Sequence, residues 1–407
     1  MSSKLIELNG FKRSNDGVYS IGADRVTFDY SDGEDSEFKL KQILSNAKNL
    51  ASDSSELEEH ISDWPSEYHL SSIRANLLRC LDLSGVKRVL ELGCGCGSIT
   101  RYLGEQSHLE VDSVEGSPTR AALAALRCKN LDNVSISTAN FNQIDLPKNY
   151  YDLVLFVGVT EYAGRFSVAD NDEDALQDLL AMAKSATTEK GLTLIAIENR
   201  AGLKYLLGAN EDHYGVPYIG IENYPNSTGI RTYTKQEWLQ QISHAGFSNH
   251  TFLYPFPDYK LPTQIINQKA FGSTSQIVKS SLLDSFQKIK SRDYLATFDL
   301  GEKEARIWQG LHETGSVEEH ANSFLILLSD HLASIETASD FDVKQFEDDK
   351  TYNYQAVPLR DETRKYDSSN EKVKHLEDQL THIYQSRSWR ILDKIRPLLQ
   401  TFKIGRK

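Results

Sequence analysis

The chain has 407 residues, which is long enough for a complete α/β domain with substantial additions. Its formal net charge of −13 argues against a broad nucleic-acid-binding face, because such a face needs a stripe of lysine and arginine. We therefore expect no nucleic acid as a partner. The four cysteines form no Cys-x-x-Cys pair and no Cys/His metal spacing, so we predict reduced thiols and no metal site.

The N-terminal residues lack the basic region and apolar run of a signal peptide. No apolar stretch reaches the length of a membrane span. We therefore expect a cytoplasmic protein. Residues 1–63 are predicted to form an N-terminal extension of short strands followed by an acidic helix. A domain is placed at 64–272, and an amphipathic helix over 70–83 leads into its first strand.

From residue 88 onward, apolar strands alternate with helical stretches. Strands are predicted at 88–92, 111–115, 134–138, 152–157 and 191–198, and helices at 98–107, 118–131, 172–186 and 235–245. Segments 250–256 and 264–271 are predicted to pair as a terminal antiparallel hairpin. The alternation predicts an α/β fold, a Rossmann-like seven-stranded and mostly parallel sheet.

The C-terminal third is predicted to add three segments to this domain. Residues 273–335 read as a helical extension, and residues 336–370 read as an acidic linker without clear periodicity. Residues 371–407 read as a short coiled coil with a basic amphipathic tail. Such a module predicts self-association or docking on an assembly partner, and the tail predicts peripheral contact with an anionic inner membrane.

Three glycines follow the first strand of the α/β pattern. Gly93, Gly95 and Gly97 have the spacing Gly-x-Gly-x-Gly, which differs from the Gly-x-Gly-x-x-Gly of dinucleotide binders. The tighter spacing suits S-adenosylmethionine rather than a pyrophosphate. Glu91 lies where an acid can face the cationic end of that ligand. Glu115 ends the second strand, immediately before Gly116, where an acid accepts hydrogen bonds from ribose hydroxyls.

These motifs resemble those of the class I S-adenosylmethionine-dependent methyltransferases over about residues 65–271. The resemblance implies that Asn140, after the third strand, accepts from the adenine amine and that Phe141 packs on the ring. An aspartate is commoner than Asn140 at that position in the family. The family's fourth motif matches 151–158, which adds Val157 to the implied cofactor residues.

The acceptor is expected at the carboxyl ends of the strands, because ligands of open α/β sheets bind there. Loops following the fourth and fifth strands, and the turn inside the terminal hairpin, converge on this edge. They supply the predicted substrate-binding residues Glu161, Tyr162, Glu198, Asn199, Tyr214 and Tyr259. The tyrosines are expected to stack on the acceptor, although ordinary packing explains them equally well.

A long insertion at 199–232 is predicted to be an ordered substrate lid. His213 in this lid is the first candidate for a general base, with Asp212 orienting it. Adjacent side chains rarely point at one another, so Glu211, Glu198 or Asp258 are alternative partners. His213 could equally be a lid residue held by hydrogen bonds.

His69 is the second candidate base, since the segment before the first strand closes over the cofactor in this fold. A structural role is the alternative for this histidine. Asp258, in the hairpin turn, is a further catalytic candidate.

Three blocks resemble a narrower group, bacterial methyltransferases that accompany surface-polysaccharide and O-antigen assembly enzymes. They begin at Trp64, Glu198 and Pro255. The segment 383–390 is similar to sequences that adjoin glycosyltransferase domains. This resemblance implies O-methylation of a sugar hydroxyl on a glycan or its lipid-linked precursor, with a glycosyltransferase as partner. A small-molecule or lipid acceptor, and a non-catalytic assembly subunit, are the alternatives.

Overall fold

The computed structural model describes residues 3–21, 33–166, 171–226 and 229–346. The strands within these ranges are β1 (Lys12–Arg13), β2 (Tyr19–Ser20), β3 (Arg88–Leu92), β4 (Glu110–Glu115), β5 (Val134–Thr138), β6 (Tyr151–Val157), β7 (Thr187–Glu198), β8 (Asn249–Phe256), β9 (Gln264–Asn267), β10 (Ser323–Ser329) and β11 (Val343–Gln345).

Helices connect most of these strands. They are α1 (Lys4–Asn9), α2 (Glu34–Asn46), α3 (Ser55–Glu58), α4 (Trp64–Leu70), α5 (Asn76–Arg79), α6 (Ser98–Gly104), α7 (Pro118–Arg127), α8 (Ala163–Phe166), α9 (Asp172–Ala186), α10 (Leu203–Leu206), α11 (Lys235–His244), α12 (Gln268–Phe271), α13 (Gln276–Lys288), α14 (Lys303–Glu313), α15 (Val317–His320) and α16 (Leu332–Ala338). Short 3₁₀ turns cover Ser72–Ala75, Phe141–Gln143 and Thr160–Tyr162.

All described strands join one sheet in the order β1-β2-β5-β4-β3-β6-β7-β10-β8-β9-β11. Neighbours from β2 to β7 are parallel, as expected where helices connect successive strands. The strands and helices predicted between residues 88 and 198 are confirmed, with ends that shift by a few residues. The carboxyl ends of β3, β4, β6 and β7 therefore meet at one edge of the sheet.

Both faces of the central strands are buried, which explains their continuous apolar sequence. In β3, Leu90 packs in one hydrophobic cluster and Val89 packs in the other. In β6, Phe156 and Leu155 divide between the same two clusters. Successive side chains of a strand point to opposite faces, so a strand covered on both sides reads as an apolar run.

The predicted helical extension over 273–335 is wrong at its C-terminal end. Residues 323–329 form β10, which lies between β7 and β8 and is antiparallel to both. Its side chains are buried throughout and alternate between the two clusters, as Ile326 and Leu327 show. A short apolar run of this kind fits a buried strand or a buried helix equally well, and only the pairing decides.

This strand also corrects the predicted sheet. The described sheet has 11 strands rather than seven, and all pairings from β7 through β11 are antiparallel. The prediction of a mostly parallel sheet therefore holds only for the half that runs from β2 to β7. The predicted seventh strand at 264–271 is β9, which ends at Asn267 and pairs with β8 as the expected hairpin.

We expect Leu327→Ala to lower the free energy of unfolding by about 2–5 kcal/mol, because it leaves a cavity in a closely packed core. Leu327 is fully buried in β10. Urea unfolding at equilibrium measures the change. Leu283→Ala is the matched control, since Leu283 is 43% exposed and its removal is expected to cost less than about 0.5 kcal/mol. Equal costs for both variants would contradict the central position of β10.

The predicted acidic linker over 336–370 is wrong in its described part. Residues up to 338 belong to α16, and β11 pairs antiparallel with β9. Ile335 and Phe341 are buried in the second cluster and hold this segment to the sheet. The rest of the linker, and the coiled coil and basic tail at 371–407, lie outside the described residues.

The N-terminal extension contains the predicted acidic helix, and β2 falls within the strand-like segment 18–22. The structure adds α1 and β1, and the second strand-like segment, 25–30, lies outside the described residues. The helix predicted over 70–83 is wrong as one continuous element. Ser71 has an extended backbone (φ −65°, ψ 135°), which ends α4 and lets its side chain cap the following 3₁₀ turn. None of the described helices combines the length and apolarity that a membrane crossing requires.

Candidate functional site

The glycine loop joins β3 to α6 with a backbone that side chains rarely tolerate. Gly93 and Gly97 have φ values of 82° and 79°. A Cβ atom on Gly93 would lie 2.4 Å from Val159 Cγ2, and one on Gly97 would lie 2.8 Å from the Cα atom of Ala124. The loop therefore packs directly against the segment after β6 and against α7, and both positions require glycine.

Glu115 fixes the middle of this loop. Its Oε2 atom accepts a hydrogen bond from the Gly95 amide at 2.7 Å, and its Oε1 atom accepts from the Ser117 amide at 2.9 Å. The ideal Cβ position of Gly95 is 3.1 Å from Arg120 Nη2. Each carboxylate oxygen has a second acceptor site, so Glu115 can still receive ribose hydroxyls as predicted. Gly116 follows it and is buried.

Glu91 is buried beneath the loop. Its Oε2 atom accepts hydrogen bonds from Thr100 Oγ1 at 2.5 Å and from Ser113 Oγ at 3.0 Å. Burial raises the pKa of Glu91 to about 7, despite those two hydrogen bonds. A cationic ligand next to this carboxyl would favour its ionised form. Its contact with the cofactor remains a prediction.

The raised pKa of Glu91 predicts a pH-dependent stability. Between its unfolded pKa of 4.5 and the folded value of about 7, the folded chain holds this proton more tightly. The stability it contributes is present below pH 4.5 and is lost as pH rises to 7, by about 3 kcal/mol. We expect Glu91→Gln to remove this loss. Urea unfolding of both proteins at pH 4 and pH 8 measures it, and parallel losses in both would contradict it.

The predicted adenine-binding residues lie after β5 and at the end of β6. Asn140 Oδ1 accepts from the Asn142 amide at 3.0 Å and so caps the 3₁₀ turn that begins with Phe141. The remaining lone pair of that oxygen is available to an amine. Phe141 is partly buried against the first cluster, and Val157 is buried at the end of β6. Their contacts with adenine stay predictions.

A second group of residues lies at the same edge of the sheet. The side chains of Glu161, Glu198 and His213 converge so that one ligand atom from each lies within 4.8 Å of the others. Glu161 follows β6 in a 3₁₀ turn, Glu198 ends β7, and His213 belongs to the lid. All are buried. We call these three residues the acceptor cluster.

The acceptor cluster is next to the glycine loop. Val159, which packs on Gly93, is two residues before Glu161. The ideal Cβ position of Gly158 is 2.7 Å from the Tyr259 hydroxyl and 3.5 Å from Glu161 Oε1. One short segment after β6 therefore links the predicted cofactor loop to the cluster.

Glu211 orients His213. His213 Nδ1 and Glu211 Oε1 are 2.9 Å apart, and Glu211 Oε2 accepts from the His213 and Tyr214 amides, both at 2.8 Å. His213 Nε2 lies 3.6 Å from Glu161 Oε1. Although burial opposes the charge, the carboxylates of Glu211 and Glu198 hold the pKa of His213 well above its usual value. The edge of the Tyr162 ring contacts the imidazole.

The prediction that Asp212 orients His213 is wrong, and the alternative Glu211 is the observed partner. Asp212 lies 3.0 Å from the ammonium groups of both Lys204 and Lys260, and it accepts from the Tyr205 hydroxyl at 2.6 Å. Burial opposes its ionisation, but these two lysines lower the pKa of Asp212. Asp212 and His213 are adjacent in the turn, and their side chains point in different directions, as is usual for adjacent residues.

Glu198 has one oxygen that is satisfied and one that is not. Its Oε1 atom pairs with Lys260 Nζ and accepts from the Tyr259 hydroxyl at 3.3 Å. Its Oε2 atom is buried without a hydrogen-bond partner, and so is Oε2 of Glu161. Burial raises the pKa of Glu161, and its contact with His213 opposes that rise.

The other two catalytic candidates are held in contacts elsewhere. Both carboxylate oxygens of Asp258 accept from the Tyr294 hydroxyl, at 2.9 and 2.8 Å, and Lys204 Nζ lies 3.6 Å away. His69 is buried in α4, where its carbonyl accepts from Arg127 and its ring contacts Tyr68. Neither residue belongs to the acceptor cluster, so the structure favours structural roles for both.

Two predicted substrate residues anchor the lid. The Asn199 side-chain amide donates to the carbonyls of Glu319 and Ala321, both at 2.8 Å. Tyr214 is buried and donates to the Ile230 carbonyl at 3.0 Å. The Asn199 contacts join the start of the 199–232 insertion to residues 319–321, and the Tyr214 contact connects two parts of the insertion to each other. They leave Tyr162 and Tyr259 as the tyrosines at the acceptor cluster.

Comparison with known families gives one match. Residues 90–189 match a family described as a methyltransferase domain. This segment is therefore similar to a methyltransferase domain. It contains the glycine loop, Glu115 and Glu161, and S-adenosylmethionine is its cofactor. The positive φ values of the loop and the free acceptor sites of Glu115 fit that ligand. Comparison with curated proteins gives no match.

Solved structures of low similarity include three methyltransferases. Phosphoethanolamine N-methyltransferase 2 of Haemonchus contortus is 13% identical, with a TM-score of 0.35 over 60% of this chain. The chain spans about half of that enzyme (49%). An S-adenosylmethionine-dependent methyltransferase of Archaeoglobus fulgidus is 16% identical with a TM-score of 0.36, and the alignment covers 64% of this chain and 96% of that one. Another, of Aquifex aeolicus, is 18% identical with a TM-score of 0.32, and the alignment covers 47% of this chain and 87% of that one. Scores of this size support no conclusion about substrate.

The methyltransferase domain therefore has a predicted cofactor loop and an adjacent buried cluster. The sequence reasoning missed Lys204 and Lys260, which form ion pairs with Asp212, Glu198 and Asp258. Lys260 lies two residues after Asp258 in the hairpin turn, so its position at the substrate edge was a usable signal. Lys204 belongs to the block that begins at Glu198, but nothing in that block distinguished it as an ion-pair partner.

Proposed function

We propose that this methyltransferase transfers a methyl group to a sugar hydroxyl of a bacterial surface polysaccharide of the O-antigen type, or of its lipid-linked precursor. The acceptor cluster beside the glycine loop is the observation that carries O-methyl transfer. A hydroxyl is a poor nucleophile while protonated, so it needs a group that weakens its O–H bond. The buried carboxylates and imidazole of the cluster are suited to that task.

S-adenosylmethionine supplies an electrophilic methyl group, and the chain's residues would bring the acceptor oxygen into line with it. Glu161 and Glu198 would accept hydrogen bonds from acceptor hydroxyls through their Oε2 atoms. The predicted lid, which contributes His213 to the cluster, would cover this edge and exclude water, which is a competing nucleophile. His213, as the raised pKa indicates, carries a proton at neutral pH and must lose it before it can act as a base.

The glycan acceptor is supported by the resemblance to polysaccharide-associated methyltransferases. Two of the resembling blocks meet in the structure, because Lys260 and the Tyr259 hydroxyl of the block that begins at Pro255 both bind Glu198 Oε1. The block that begins at Glu198 contributes both Glu198 and His213 to the acceptor cluster. Two of the three blocks that carry the resemblance are therefore represented at the cluster or in its direct contacts.

Deletion of the gene tests this proposal. Mass spectrometry of the isolated surface polysaccharide is expected to show the loss of a methylated sugar in the deletion strain. Complementation with the wild-type gene is expected to restore it. Unchanged methyl-sugar content would exclude the glycan acceptor.

A small-molecule or lipid acceptor is the second candidate function. The residues of the acceptor cluster are at most 8% exposed, which favours an acceptor small enough for the lid to enclose. Nucleotide-linked sugars and lipid headgroups are tested directly, by incubation with the cofactor and mass spectrometry of the products.

We also keep a non-catalytic role as an assembly subunit, which would act through residues 371–407 on a glycosyltransferase or a second copy of the chain. Cytoplasmic location and peripheral contact with the inner membrane are part of this proposal. In that case deletion of 371–407 abolishes the in-vivo phenotype, while Glu115→Ala leaves it intact.

A further inference from the structure

We infer that the acceptor cluster is a binding site for one divalent cation, held by Glu161, Glu198 and His213. The three residues come from three separate segments, and their ligand atoms lie within 4.8 Å of one another. Metal–ligand bonds of about 2.0–2.2 Å place two ligands of one ion at most about 4.4 Å apart. Small side-chain rotations therefore suffice to close the three ligands around an ion.

Two unpaired oxygens are the first independent support. Oε2 of Glu161 and Oε2 of Glu198 are buried and have no hydrogen-bond partner, and their side chains are 2% and 1% exposed. A buried carboxylate oxygen without a partner is costly, and folded proteins rarely leave one unsatisfied. Both carboxylates belong to the acceptor cluster. A cation between them satisfies both.

The orientation of His213 is the second support. Its Nδ1 atom is held by the Glu211 carboxylate at 2.9 Å, so its Nε2 atom faces Glu161. Imidazoles that ligate metals usually have the other nitrogen bonded to a carboxylate in this way. Glu211 is itself fixed by the amides of His213 and Tyr214. The imidazole is therefore positioned before any ligand arrives.

The balance of charge is the third support. Lys260 is shared between Glu198 and Asp212, and Lys204 is shared between Asp212 and Asp258. The buried carboxylates of this connected group are Glu161, Glu198, Glu211, Asp212 and Asp258. These five acids outnumber the two lysines, even when His213 is counted as a third positive charge. Buried negative charge in excess needs a counter-charge, either protons or a cation.

Two carboxylates and one imidazole suit a cation of intermediate hardness such as Mn²⁺ or Zn²⁺. Three protein ligands leave coordination positions open, as in catalytic metal sites. On the proposed function, those positions would take acceptor hydroxyls and lower the pKa of one of them, and the proton would pass to a neighbouring carboxylate. His213 would then act as a ligand rather than as the proton acceptor.

Cation binding is measured on the full-length chain after removal of metals with a chelator. Titration with Mn²⁺, followed by electron paramagnetic resonance of the free ion, is expected to show one site per chain. Glu198→Gln and His213→Gln are each expected to weaken Mn²⁺ binding at least 10-fold. Zn²⁺ is expected to displace Mn²⁺ from the wild type. Asp112→Asn is the control. Asp112 is a buried carboxylate on β4 that accepts from the Tyr151 hydroxyl and lies outside the cluster.

Circular dichroism shows whether each variant is folded, and Glu161→Gln offers a third variant that keeps its size. Absence of Mn²⁺ and Zn²⁺ binding by the folded wild type would overturn the inference and leave protons as the counter-charge. Binding that all three cluster variants retain would also overturn it, since the ion would lie elsewhere. This result is independent of the polysaccharide test. If the chain binds the cation but the deletion strain keeps its methyl-sugar content, only the glycan acceptor is rejected. If the deletion strain loses the methylated sugar but the chain binds no cation, only the cation site is rejected.

Discussion

Glu115→Ala is expected to weaken S-adenosylmethionine binding about 100-fold. The carboxylate of Glu115 is predicted to accept the ribose hydroxyls, and it also holds the Gly95 and Ser117 amides. Loss of hydrogen bonds to a charged group costs about 1.5–3 kcal/mol each, and 100-fold in affinity is about 2.7 kcal/mol. Isothermal titration calorimetry measures the change. Glu115→Gln keeps one acceptor oxygen, so its affinity for S-adenosylmethionine is expected to lie between those of the wild type and Glu115→Ala.

Glu110→Ala is the matched control, because Glu110 is exposed at the other end of β4. Its affinity for the cofactor is expected to equal that of the wild type. Gly95→Arg places a side chain at a φ of 55°, where a Cβ atom already meets Arg120, and is expected to abolish binding. Equal binding by the wild type, Gly95→Arg and Glu115→Ala would refute the cofactor site.

His213→Gln is expected to lower turnover about 100-fold or more, with little loss of cofactor affinity. The residue lies in the acceptor cluster and not in the glycine loop, so it affects the acceptor rather than the cofactor. Its removal takes away either the proton acceptor or a cation ligand, and each is worth about this factor or more. The rate of methyl transfer from labelled S-adenosylmethionine to glycan from the deletion strain measures the effect.

His244→Gln is the control for this experiment, because His244 is exposed at the end of α11 and is expected to leave turnover unchanged. Unchanged turnover in His213→Gln, with methyl transfer intact in the wild type, would remove His213 from the reaction. Equal loss of cofactor affinity and turnover would place it instead in the cofactor site.

The sequence predicts the methyltransferase half of the sheet well, because its signals are local. An apolar strand, three glycines and an acid at the end of the next strand are each set by neighbouring residues. The glycines need positive φ values, and Gly93 and Gly97 also need room for Val159 and Ala124. Because these requirements fix glycine at set positions, the Gly-x-Gly-x-Gly spacing is recognisable from the sequence alone.

The antiparallel half was harder to predict for the opposite reason. β10 comes from residues 323–329, far along the chain from β7 and β8, and it lies between them. Nothing local distinguishes its apolar run from a buried helix, since burial on all sides removes periodicity. Residues 336–345 were polar enough to predict a linker, because few of their side chains are apolar.

The sequence alone determined the cofactor loop and the edge of the sheet at which an acceptor would lie. Only the tertiary structure decided which acid meets His213, and that Glu161 and Glu198 share its position. The physical reason is direction. Sequence spacing determines how close two residues are along the chain, but a turn aims adjacent side chains apart, so Asp212 faces the lysines while Glu211 faces the imidazole. Glu198 and His213 lie in one sequence block, but Glu161 comes from an earlier loop, so no single motif contains all three ligands.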